Sequence, residues 1–99
     1  MRAVDIENAQ FRHVRWSEGY HIDDVRILLG KAARTMRAHD LGSAPEIAAD
    51  DVAVALFRTT RFTAGYDQRQ VDDFLDEVVE ELRASETAAR FRPDTPWVR

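Results

Sequence analysis

Two stretches of the chain carry apolar residues at helical spacing. Downstream these are Val71, Phe74, Leu75, Val78, Val79 and Leu82. Their steps of three and four residues predict one long helix that starts at Asp67 and runs to about Glu86. Asp67 suits the N-cap, and Gln70 three residues on makes a capping-box variant. Upstream, Val25, Leu28, Leu29, Ala32, Ala33 and Met36 stand at the same relative positions and predict a second long helix over about His21 to His39. Val71, Leu75, Val78 and Leu82 form a coiled-coil-like seam. It fades at Ser85, too soon for an independent rod. A short helix is expected before each long one. The first runs over about Ala3 to Gln10. The second opens at Ser43, where Ser43-Ala44-Pro45-Glu46 reads as a capping box with Pro in the first turn, and ends near Leu56. Between short and long helix lie two basic, aromatic loops, Phe11 to Gly19 and Phe57 to Gly65. The closing glycines are expected to serve a turn with positive φ. No strand pattern of comparable strength is present, so the expected fold class is all-α.

The two halves align without gaps at an offset of 46 residues. From residue 3 to residue 40, 12 of 38 aligned positions are identical. They include Phe11 with Phe57, Arg12 with Arg58, Arg15 with Arg61, Gly19-Tyr20 with Gly65-Tyr66, Val25 with Val71 and Leu29 with Leu75. Self-similarity at a fixed period marks a repeated supersecondary unit. The expected organisation is one domain over residues 1–90, with repeat one at 3–42 and repeat two at 46–90. An irregular tail at 91–99 carries Pro93, Pro96 and Trp97.

The better copy contains Gly65-Tyr66-Asp67, two further residues, Gln70, and then Val71-Asp72-Asp73-Phe74-Leu75-Asp76. This run resembles the N-terminal domain of the DivIVA family of bacterial cell-division and cell-pole proteins. Gly19, Tyr20, Val25 and Leu29 carry the likeness more weakly in the first copy, where His21, Arg26 and Leu28 depart from it. Two copies in nearly the whole chain resemble the DivIVA-repeat proteins of actinobacteria. The resemblance implies parallel long helices, loops that cross each other, and a loop tip whose aromatic and basic residues bind a membrane. It also implies scaffolding of division partners through a long coiled coil, which is absent here. The loops are longer than in the family, and the aromatic (Trp16 or Phe62) follows the basic residue (Arg15 or Arg61).

Two copies in one chain can pack as an internal pseudo-dimer, their long helices side by side. The alternative is an intertwined homodimer of two chains. Charge favours the first. The segment from His21 to His39 sums to +2 and that from Asp67 to Glu86 to -6. Arg26, Lys31 and Arg34 align with Asp72, Glu77 and Glu80, and unlike helices attract.

With 44% apolar and 32% charged residues in 99, the chain has the makings of a modest core. The absence of cysteine excludes disulfides, thiolate metal sites and thiol nucleophiles. A net charge of -4 weighs against nucleic acid as a partner. No apolar run spans a membrane and the N-terminus has no signal-like core, so a cytoplasmic location is expected, peripheral to the inner face of the membrane if the loops bind it. The carboxylates from Asp72 to Glu81 have no histidine beside them and form no calcium loop, which makes them a solvated helix face. His13, His21 and His39 lack metal-ligand spacing, and the serines lack a nucleophile elbow. No enzyme activity, metal or cofactor is expected. The remaining candidates for a site are Arg12, Arg15 and Trp16 in one loop and Arg58, Arg61 and Phe62 in the other. In one arrangement the tip aromatics cover the helices. In the other they stand exposed beside arginine, suited to an anionic membrane or a protein surface. Gly19, Tyr20, Gly65, Tyr66, Asp67, Val71, Phe74 and Leu75 are the expected structural motif. The functional expectation is a non-enzymatic adaptor for division or polar growth, with a soluble protein-interaction module as the alternative.

Overall fold

The computed structural model describes residues 1–90; the tail with Pro93, Pro96 and Trp97 lies outside the described residues. Four helices and four short strands follow in the order α1 (Ala3–Glu7), β1 (His13–Val14), β2 (Gly19–Tyr20), α2 (Ile22–Leu41), α3 (Ala49–Ala53), β3 (Thr59–Thr60), β4 (Gly65–Asp67) and α4 (Gln68–Arg90).

The long helices form where the apolar stripes predict them. α2 buries Val25, Leu29, Ala32, Ala33 and Met36, and α4 buries Val71, Leu75, Val78 and Leu82. These side chains join one core cluster, with Ala3 and Ile6 from α1 and Ala49 and Val52 from α3. Burying a side chain the size of leucine contributes about 1.5–3 kcal/mol, so this shared cluster is the main source of stability. The helices run parallel. Tyr20, just before α2, donates its hydroxyl to Asp72 in the first turns of α4, and Met36 far along α2 accepts from Ser85 far along α4 at 3.5 Å. The α4 helix continues past Ser85, where the apolar stripe stops, because the polar residues beyond are ordinary helix formers. The aligned charges of opposite sign do not meet across the pair. Arg34 binds Glu46 and Arg26 binds the Ala9 and Glu7 carbonyls, so any attraction between α2 and α4 from these positions is long-range and screened.

The chain is not all-α. The two basic loops supply a four-stranded antiparallel sheet in the order β1-β4-β2-β3. His13 and Val14 pair with Tyr66 and Gly65, while Gly19 and Tyr20 pair with Thr60 and Thr59. In the centre, Tyr20 stands opposite Tyr66. Each loop therefore finds its strand partners in the other loop. Strands of two or three residues are too short to show alternation, and their partners lie about half a chain away, which is why periodicity misses them.

The closing glycines also act differently from expectation. The left-handed glycine is Gly42, not Gly19 or Gly65. A Cβ at Gly19 would sit 2.9 Å from the Tyr66 carbonyl oxygen, and one at Gly65 would sit 2.9 Å from the Tyr20 carbonyl oxygen. Both positions need the smallest residue because the central strands approach closely there.

The second short helix is shorter than predicted. Gly42 ends α2 at φ 71°, and the Ser43 N–H donates back to the Ala38 carbonyl at 2.8 Å. Ser43 thus belongs to the α2 C-cap and cannot open a helix. Glu46, the intended capping-box partner, accepts from Arg34 instead, and the Ile47 N–H donates to buried Thr35 at 3.1 Å. Helix α3 starts only after Ala48, whose N–H donates to Asp51 at 2.8 Å. α1 starts the same way, the Arg2 N–H donating to Asp5 at 2.8 Å.

Candidate functional site at the crossed loops

Two clamps hold the loops against the starts of the long helices. In one, the Asp67 N–H donates to the Arg12 carbonyl at 2.8 Å, and the Arg12 guanidinium reaches the Asp67 carboxylate at 2.6 Å. Asp67 also caps α4 by accepting from the Gln70 N–H at 3.1 Å. The reciprocal arm of the expected capping box does not form, because Gln70 Oε1 accepts from the Arg12 N–H at 2.7 Å. In the other clamp, the His21 N–H donates to the Arg58 carbonyl at 2.8 Å. Asp24 accepts from the Arg58 N–H at 3.0 Å and from its guanidinium at 3.0 and 2.8 Å. His21, which the 46-residue offset aligns with Asp67, makes no side-chain cap bond. Bidentate contact with Arg58 holds the Asp24 carboxyl well below the usual carboxylate range. The Gln70 N–H, and then Arg12, lower that of Asp67.

Aromatic rings fill the space beneath. Phe11 packs edge-on against Tyr66 with centroids 5.1 Å apart, and Phe57 packs against Tyr20 at the same distance. Phe74 closes on Phe11 at 5.6 Å. Phe11 and Phe57 therefore turn inward onto the core. Burial, and next the bond to Asp72, pushes the Tyr20 hydroxyl up to about 12.

The tips differ. Trp16 is 79% exposed and Phe62 is 66% exposed, against the reading in which they cover the helices. The rings lie edge to face, 6.4 Å between centroids, at an apex where the two loops meet. Phe62 adopts φ 74°, a left-handed conformation costly for a bulky side chain, and its N–H donates to the Arg15 carbonyl at 2.9 Å. Such a conformation persists only where the surroundings over-determine it, and here the hydrogen bond across the paired loops holds it. Arg15 is exposed at the same apex, and Arg61 makes a loose 3.5 Å contact with half-exposed Glu18.

Of the six candidate residues, Arg15, Trp16, Arg61 and Phe62 gather at the apex, whereas Arg12 and Arg58 are committed to the clamps. Asp24 and Glu18 were missed. The 46-residue offset places Asp24 on Gln70, a signal that could have found the first; nothing in the pattern marks Glu18. Among the described residues, no group of three or more His, Asp or Glu side chains is arranged to hold a metal ion. Among the same residues, no helix is long and apolar enough to cross a membrane. No protein-family description, curated protein or solved structure matches the chain.

Proposed function

We propose that the chain is a non-enzymatic adaptor of DivIVA type, built from two repeated units folded on each other as an internal pseudo-dimer. Its apex docks on the anionic inner face of a bacterial membrane, and its sides engage proteins of division or polar growth. The carrying observation is the exposed Trp16 and Phe62 pair with Arg15 and Arg61 beside it. Such a group combines apolar insertion with attraction to acidic headgroups. The internal pairing is supported by the recurrence of contacts at the 46-residue offset. Both clamps, both Phe–Tyr ring pairs and the two outer strand pairs obey it.

Sedimentation with phosphatidylglycerol-containing vesicles tests the reading. The wild-type chain is expected to pellet with acidic vesicles and to stay in solution with neutral ones. Arg61→Glu removes one attraction and adds a repulsion. At about 1 kcal/mol per basic residue near the surface, it is expected to weaken binding by about tenfold or more. A wild-type chain that ignores acidic vesicles would leave only the soluble interaction module.

A further inference from the structure

The two halves differ where the end of each short helix meets a long helix. Arg26 in α2 reaches back beneath the end of α1. Its guanidinium donates to the Ala9 carbonyl at 2.7 Å and to the Glu7 carbonyl at 2.9 Å. Glu7 is the last residue of α1, where carbonyls lack intrahelical partners, and Ala9 lies just beyond it. At the 46-residue offset, the corresponding carbonyls are those of Ala53, the last residue of α3, and Ala55 just beyond it. They accept no hydrogen bond from the described residues. The position corresponding to Arg26 is Asp72, too short to reach them and of the wrong charge. What remains is a cleft of about 430 Å³ between the end of α3 and the first turns of α4. The equivalent cleft, which Arg26 lines, measures about 240 Å³.

The walls of the larger cleft suit a guanidinium. Ala53 and Ala55, at and just beyond the end of α3, line it together with Asp72, Leu75, Asp76 and Val79 of α4. Asp72 accepts from the Tyr20 hydroxyl through one oxygen, which leaves the second available. Asp76 is exposed and Glu18 stands at the rim. Carbonyl and carboxylate acceptors together match the fork of donors on arginine, and the apolar side chains match its stem. A divalent cation fits less well, since no three-ligand cluster exists among the described residues.

We propose that this cleft is the docking site for an arginine side chain of a protein partner, seated as Arg26 is seated in the other half. None of Arg15, Trp16, Arg61 or Phe62 lines it, although Glu18, which Arg61 contacts, does, so the cleft adjoins the membrane-docking apex without using its residues.

The test is a nuclear magnetic resonance titration of the full chain with N-acetyl-arginine amide and with its neutral isostere, N-acetyl-citrulline amide. Saturable shifts confined to the amides of residues 53–56 and 72–76 are expected with the arginine probe, with citrulline at least tenfold weaker. Asp72→Arg lets the chain fill its own cleft, and is expected to abolish these shifts and raise the melting temperature. Asp76→Asn, an exposed change compatible with the fold, is expected to weaken the arginine probe several-fold. Shifts that do not saturate, equal binding of citrulline, a folded Asp72→Arg variant that still binds, or an Asp76→Asn variant with unchanged affinity would each overturn the proposal.

Discussion

Gly65→Ala is expected to destabilise the domain by about 3 kcal/mol, the upper end of what overpacking usually costs. The added Cβ would meet the Tyr20 carbonyl oxygen at 2.9 Å and the Thr60 side chain as well. Tyr20 cannot retreat, because it belongs to the strand paired with β4 and its hydroxyl is tied to Asp72. A domain of this length holds only about 5–15 kcal/mol in all, so the loss is large. Gly30→Ala is the control. That glycine lies inside α2, where a Cβ meets nothing closer than the far end of the Arg34 side chain at 3.4 Å. It is expected to stabilise by about 0.5–1 kcal/mol through helix propensity. Urea unfolding of the two variants reads the contrast. A neutral Gly65→Ala would mean that the central strands do not approach as described.

The double substitution Trp16→Ser with Phe62→Ser should leave stability nearly unchanged and abolish vesicle binding. Both rings are mostly exposed and their ring contact is with each other. Little is therefore lost from the fold, and surface changes of this kind usually fall within about 0.5 kcal/mol. On a membrane, by contrast, each ring stands to bury apolar area worth about 1.5–3 kcal/mol. Losing both costs about 3–6 kcal/mol, a loss of more than about a hundredfold in affinity. The arginines that remain supply only about 1 kcal/mol each and do not hold the chain alone. Co-sedimentation with acidic vesicles, beside a thermal melt, measures both effects. Undiminished binding by a folded double variant would place the docking surface elsewhere.

The long helices were legible because their stripes repeat over many residues, and Val25, Leu29, Val71 and Leu75 stand in the core as the spacing implied. Asp67 was legible as a cap because its partner lies three residues away. The sheet was not, since pairs such as His13 with Tyr66 depend on a crossing that no local pattern encodes. The same distance hid the real task of Gly19 and Gly65, whose neighbours come from the opposite loop. Ser43 misled because a capping signal is local, whereas the left-handed turn at Gly42 commits the Ser43 N–H to the Ala38 carbonyl. At the apex, the sequence supplied the residue types but left the direction of Trp16 and Phe62 open. The left-handed backbone at Phe62 and the clamps at Arg12 and Arg58 decide it, and both depend on strands that periodicity could not reveal.

Closure of the two units within one chain is most directly tested by sedimentation equilibrium at micromolar concentration. A mass of one chain, 11.4 kDa, is the expected result. A stable two-chain mass, with the loops crossing between molecules, would contradict it.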